Sequence, residues 1–290
     1  MRLFFALLRQ TDFVYNAGRD NANTGFDKKG AQQMALRVGI LVDSTGAYGR
    51  GVVGGIAKYA HAHTHWSLFL VQEWSVSYGE TRRLSVDAVI GQITSDKAVE
   101  LLDNMGIPAV NVADQQNSVP LPSVYSDNRA IGRLAAEHYL ARGFANFAFC
   151  GVNDMLYSHE RGEGFVKTVE KAGYQCARAD EVMRNYRSMG VPSGLAEWIE
   201  SLPKPIGMMT SNDVLAGMVV SVCQEIGVRV PEEMAIIGVD NDELVCELSD
   251  VPLSSVSLGT EHIGYKAAEL LNGMLSGKSV PTRPVLIEPF

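Results

Sequence analysis

At 290 residues, with 46% hydrophobic and 20% charged residues, the chain is long enough for about two domains and a core without cross-links, and too apolar for wholesale disorder. Lys plus Arg number 25 against 33 Asp plus Glu, a formal charge of −8, so the broad basic footprint of a nucleic-acid-binding surface is missing. Cys150, Cys176, Cys223 and Cys246 form no CxxC pair; zinc and redox motifs are unsignalled, and reduced thiols in a cytoplasmic protein are expected.

Leu3–Leu8 is an apolar run too short for a typical signal-peptide core, without a clear cleavage site. No stretch approaches the roughly 18 apolar residues of a membrane span. Residues 1–35 read as a flexible leader, polar and rich in glycine and asparagine after the first run, and Met34 is an alternative start just before the first strand. From there strands and helices alternate. Arg37–Val42 is a strand, Gly51 to about His63 a helix, Leu68–Val71 and Ala88–Ile90 strands, and Asp96–Met105 a helix stopped by Gly106. Ala109–Val112 is a strand, and Asp127 caps a helix that Gly143 ends. The cycle then repeats: strand Phe147–Cys150, helix His159–Ala172, strand Ile206–Met209, helix Asn212–Ile226, strand Ala235–Val239 and helix Thr260–Leu275. Alternation of this kind predicts an α/β fold of two similar doubly wound parallel-sheet lobes, divided near residues 120–126. The helix at 260–275 follows both runs, so the chain is expected to cross back between the lobes.

Three motifs with possible chemistry are weak. Gly49-Arg50-Gly51-Val52-Val53-Gly54 matches GxGxxG between a strand and a helix, with Glu73 near the spacing of a ribose-binding acid. The first glycine comes too late after Val42, however, and a glycine-tolerant helix start packed on the sheet is the simpler reading. His61, His63 and His65 would share a face only on a strand, and they fall at a helix end. No GxSxG, HExxH or P-loop is present, so no catalytic residue, metal ligand or cofactor is expected.

The informative residues gather at the carboxyl ends of the predicted strands, where open α/β sheets bind ligands. They are Asp43–Arg50 after the first strand, Arg161 opening a helix, Asn212-Asp213 after Ile206–Met209, and Asp240-Asn241-Asp242 after Ala235–Val239. Forked Arg and Asn donors with Asp acceptors suit vicinal sugar hydroxyls. Tyr48, Tyr157 and Tyr186 could wall a pyranose face. Each residue also has a local reading: Asn212 or Asp213 as a helix cap, Asp240 in a turn, Arg161 in an ion pair.

At these residues the sequence resembles the effector-binding domain of the lactose-repressor family, across about Arg37 to Phe290. The matching pieces include Gly106-Ile107-Pro108-Ala109-Val110, Ser126-Asp127-Asn128 with Gly132, Arg161 with Gly164-Phe165, Ser211-Asn212-Asp213, and Ile237-Gly238-Val239-Asp240. Within that family it looks most like the xylose operon regulators, through Ala47-Tyr48 with Arg50, Glu160-Arg161, Asp240-Asn241 with Glu243-Leu244, and Leu253-Ser254-Ser255-Val256.

The resemblance implies a periplasmic-binding-protein-like type I fold and a cytoplasmic sugar sensor, most simply for D-xylose or a related pentose. The implied ligand-binding residues are Tyr48, Arg50, Arg161, Tyr186, Asn212, Asp213, Asp240 and Asn241. The family's acid after the Ile-Pro strand is displaced here, with Ala113 at its place and Asp114 following. Residues 36–124 with 257–283 would form one lobe and 125–256 with 284–290 the other. Operator DNA would be bound through an arabinose-regulator-like domain not in this chain, which would then be a fragment. A homodimer and no membrane partner are implied. Two alternatives stand beside this reading: an extracytoplasmic sugar-binding protein of a transporter, and an NAD-dependent oxidoreductase built on Gly49–Gly54 and Glu73.

Overall fold

The computed structural model describes residues 35–71, 86–113, 119–185 and 190–290. The expected leader apart from Ala35, and the residues Glu73, Asp114 and Tyr186, lie outside them. In chain order the first elements are β1 (Arg37–Leu41), α1 (Ala47–His63), β2 (Ser67–Leu70), β3 (Ala88–Gly91), α2 (Asp96–Asn104), β4 (Ala109–Asn111) and β5 (Val124–Ser126). Then come α3 (Asn128–Ala141), β6 (Phe147–Cys150), α4 (Leu156–Lys171), β7 (Cys176–Arg178), α5 (Leu195–Ser201), β8 (Ile206–Thr210) and α6 (Asp213–Glu225). The rest are β9 (Met234–Val239), α7 (Glu243–Leu248), β10 (Ser254–Val256), α8 (Thr260–Leu275) and β11 (Val285–Ile287).

Two large parallel sheets result, ordered β2-β1-β3-β4 and β10-β9-β8-β6-β7, beside a two-stranded parallel pair, β11-β5. Their central strands are buried along their length because helices cover both faces, which is why β6 reads Phe-Ala-Phe-Cys and β3 Ala-Val-Ile-Gly without polar interruption. The register sets Val38 beside Leu68 and Ala88 in the first sheet, and Ala148 beside Ala177 and Met208 in the second. Polar caps start the helices where a side chain is available: Ser95 accepts from Ala98 N, Asp127 from Ala130 N and Asn212 from Leu215 N.

The first sheet is completed late in the chain. Ile263, Ala267, Ala268 and Leu271 of α8 lie in one core with Val38, Ile40, Val52 and Ile56. Helix α8 lies close enough to α1 for an added Cβ at Gly55 to collide with Glu261 O, and one at Gly264 with Val52 O. The second lobe uses the same device: at Gly132 a Cβ would meet Arg161 O, and at Gly164 it would meet Arg129 O, so α3 and α4 pack backbone to backbone. The connecting segments run side by side, with β5 paired to β11, Asp127 N donating to Ile287 O at 2.8 Å and Phe290 N to Ser257 O at 3.4 Å.

The glycine motif is corrected by this packing. Gly49, Gly51 and Gly54 are not a loop between strand and helix but part of α1, which begins at Ala47. Gly49 lies against the Asp43 carbonyl of the segment leading into α1, and Gly51 against Thr260 at the start of α8, so close backbone approach accounts for the first and helix packing for the second. Of the three histidines, His63 makes a 2.8 Å hydrogen bond with Tyr265 OH on α8. All four cysteines are free, Cys150 and Cys223 buried and Cys176 and Cys246 partly exposed. Among the described residues, no helix is long and apolar enough to cross a membrane.

Candidate functional site

The carboxyl ends of the two sheets confront one another. From the second lobe comes Arg161, on the second turn of α4 and only 3% exposed. Close packing of α3 on α4 brings Asn128, the first residue of α3, within reach, and Arg161 Nε donates to its Oδ1 at 3.0 Å. Arg161 Nη1 donates to Ser211 O at 2.5 Å and stands 3.8 Å from Asp240 Oδ1. The guanidinium lies 4.8 Å from the centre of the Tyr157 ring, a cation–π contact that orients the fork. Both remaining partners sit at strand ends: Ser211 follows β8 and Asp240 follows β9.

Asp240 and Asn241 adopt positive φ, 115° and 52°, a conformation that non-glycine residues take at some energetic cost when surrounding structure enforces it. The enforcement is visible. Asp240 N donates to Val256 O at 3.1 Å, Asn241 N to Ser255 Oγ at 2.9 Å, and Asp242 N to Asp213 Oδ2 at 2.9 Å. Ser255 Oγ in turn donates to Asp213 Oδ1 at 2.6 Å. The Asp213 carboxylate, 1% exposed, thus organises the 240–242 loop from beneath. Burial raises its pKa, against the opposing pull of the Ser255 and Asp242 hydrogen bonds. Gly238 has no side chain because a Cβ there would strike this carboxylate.

The other expected site residues are placed as follows. Asn212 caps α6 through its Oδ1, 2.8 Å from Leu215 N, while its Nδ2 reaches Tyr157 OH at 3.5 Å. Tyr48, on the first turn of α1, donates to Val112 O at 2.5 Å and packs against the cores of both lobes. Arg50, with 44% of its side chain exposed, donates to Thr45 O and lies 3.4 Å from Asp242 Oδ1 across the lobes. Asp43 at the end of β1 accepts from Thr45 N and Oγ1, which lowers its pKa below the usual carboxylate value.

The structure therefore brings Arg161, Asp213, Asp240 and Asn241 into one network, joins Asn212 to it through Tyr157, and sets Tyr48 and Arg50 opposite. Two participants have partners that the sequence does not announce, although Asn128 belongs to the Ser126-Asp127-Asn128 match and Asp242 to the strand-end run Asp240-Asn241-Asp242. Asn128 is 33 residues from its Arg161 partner, and Asp242 acquires its role only when the lobes meet: its Oδ2 accepts from Ala47 N at 2.9 Å. The Ser211 hydroxyl is buried beside Arg161 without a hydrogen-bond partner among the described residues. A cavity of about 460 Å³ is bounded by Thr94, Asn111, Tyr125, Leu156 and Arg283, and among the described residues none of the expected ligand-binding ones lines it.

Two parallel α/β lobes with strand ends facing across a polar cleft, joined by adjacent crossing segments, define a two-lobed ligand-binding domain. Comparison with known proteins is specific about which. A family model for a periplasmic binding protein-like domain matches residues 136–290, and one for the XylR N-terminal domain matches residues 37–129. The chain belongs to the family of periplasmic-binding-protein-like effector domains found in xylose operon and lactose-repressor-type regulators. It is 32% identical over 263 residues to the xylose operon regulatory protein of Haemophilus influenzae, covering 88% of this chain and 68% of that protein. Among solved structures it matches that of the xylose-binding transcription activator xylR with a TM-score of 0.76 and 28% identity, over 89% of this chain and 68% of that one. The fold is also that of a periplasmic binding protein/LacI transcriptional regulator from Alkaliphilus metalliredigens complexed with D-xylulofuranose, with a TM-score of 0.67 at 21% identity over 88% of this chain and 96% of that one.

Proposed function

We propose that this chain is the sugar-sensing part of a transcription regulator, and that D-xylose or a related pentose is its effector, bound between the lobes. The observation that carries the reading is the Arg161–Asp240 pair. A buried cation with fixed donors stands 3.8 Å from a carboxylate on a constrained loop, both at strand ends, and such a pair can hold adjacent sugar hydroxyls as acceptor and donor. The buried Ser211 hydroxyl supplies a further group that a ligand hydroxyl could satisfy. The relatives are regulators, and the reading is accordingly of a sensor and not an enzyme. The lobes comprise residues 36–124 with 257–283 and 125–256 with 284–290. Operator DNA is bound by a domain other than this acidic one, in the cytoplasm, and ligand shifts the population of lobe arrangements.

Calorimetry against a panel of pentoses and hexoses tests the proposal. Heat with D-xylose or another pentose supports it; heat with hexoses alone removes the pentose assignment, and none with any sugar removes sugar sensing. In the same assay Asp240→Ala loses about 2 kcal/mol of affinity, through lost hydrogen bonds to a charged acceptor; unchanged affinity would take Asp240 out of the site.

The homodimer belongs to the same proposal. Leu244 and Leu248 of α7 are 61% and 86% exposed and Val214 of the adjoining α6 is 57% exposed, which makes this the apolar face that a second copy would cover. Leu248→Asp should convert a dimer to a monomer in sedimentation, while a wild-type chain that sediments as a monomer rules the dimer out.

A further inference from the structure

We infer that Asp242 is an interlobe latch: one carboxylate from the second lobe caps the start of a helix in the first and so sets how far the cleft closes. The inference rests on the proposed sugar site, which Asp242 would serve as a positioning residue without touching the sugar.

The residue capping the start of helix α1 is Gly46, which has no side chain to satisfy the free amides of the first turn. The missing acceptor comes from the opposite lobe, 195 residues away in sequence, where Asp242 Oδ2 accepts from Ala47 N at 2.9 Å. The other oxygen, Oδ1, caps its own helix α7 by accepting from Leu244 N at 3.2 Å. The same Oδ1 lies 3.4 Å from Arg50 Nη2 on α1. A single anion thus meets the positive ends of two helices and a guanidinium, an arrangement that favours negative charge at that point.

Its position is fixed from behind. Asp242 N donates to the buried Asp213 carboxylate at 2.9 Å, and Asp242 O accepts from Cys246 N at 2.9 Å. The residue is 9% exposed, so solvent weakens its contacts less than those of a surface ion pair. The latch and the sugar site share the 240–242 loop: Asp240 stands beside Arg161, and two residues on Asp242 grips the other lobe. Asp213, beneath both, is the common support. Opening the cleft leaves Ala47 N and Arg50 to water, so the latch biases the ligand-free chain toward closure. Sugar affinity scales with the fraction of chains already closed.

Two variants remove the latch while keeping both helices. Asp242→Asn retains a good N-cap for α7 and removes the charge. Ala47→Pro deletes the donor itself; proline is favoured at the first helical position, and Gly46 already has the extended backbone, φ −91° and ψ 163°, that precedes proline. Small-angle X-ray scattering on the 290-residue chain reads lobe separation, and calorimetry with D-xylose reads affinity. Both variants should show a larger ligand-free radius of gyration than wild type, a return to the wild-type value at saturating D-xylose, and affinity weakened about fivefold. Ligand-free radii equal to wild type in both variants overturn the latch. If wild type gives no heat with D-xylose, the pentose reading fails, and the ligand-free scattering still decides the latch.

Discussion

An Arg161→Ala chain should bind D-xylose about 2–3 kcal/mol more weakly, roughly thirtyfold to over a hundredfold, as charged hydrogen bonds in a shielded site are lost. The side chain is 3% exposed, with its Nε on Asn128, one Nη on Ser211 O and Asp240 3.8 Å away. Truncation therefore also takes a charged donor away from two buried acceptors, Asn128 Oδ1 and Ser211 O, and the melting temperature should fall with the affinity. Arg161→Lys should not restore binding, because one ammonium cannot reproduce a planar fork that engages Asn128, Ser211 and Asp240 at once. Calorimetry and thermal melting together check the prediction. An Arg161→Ala chain that still bound D-xylose like wild type would take Arg161 out of sugar recognition.

Two adjacent glycines should respond to the same substitution with opposite signs. Both Gly54 and Gly55 lie in α1. An added Cβ at Gly55 collides with Glu261 O and Tyr265 N of α8, whereas at Gly54 it meets nothing within 4 Å. Gly55→Ala must push two helices apart and should cost about 2–3 kcal/mol, lowering the melting temperature by roughly 4–12 °C in a chain of this size. Gly54→Ala should stabilise by up to ~1 kcal/mol, since alanine orders a helix with less loss of entropy. Equal effects at the two positions would show that helix contact is not what selects these glycines.

The same two glycines show where sequence reasoning reaches its limit. Strand β6 and helix α8 were legible to the residue, Phe147–Cys150 and Thr260–Leu275, because a continuous apolar run and a long amphipathic stretch each carry a strong period. Helix α1 starts four residues before the expected Gly51, since a glycine-rich start reads as loop until a partner helix more than 200 residues later explains it. The strands β5, β7, β10 and β11 are three residues each, too short to show alternation. At the site, the Arg and Asp residues at strand ends could be picked out from fold logic alone. Asp242 is among those strand-end residues and Asn128 lies in the Ser126-Asp127-Asn128 match, but their partners could not be read: these arise from contact between the lobes and from packing between α3 and α4.

The position of α8 has a consequence for how the chain is made. Its residues 260–275 complete a core begun by Val38 and Ile40, yet they leave the ribosome after every strand of the second sheet. The second lobe can therefore close over its own sheet while the first still exposes the face of α1 that α8 will cover. Val38 and Ile40 emerge before any strand of the second sheet and are sealed after it, reversing the usual order in which amino-terminal parts fold first.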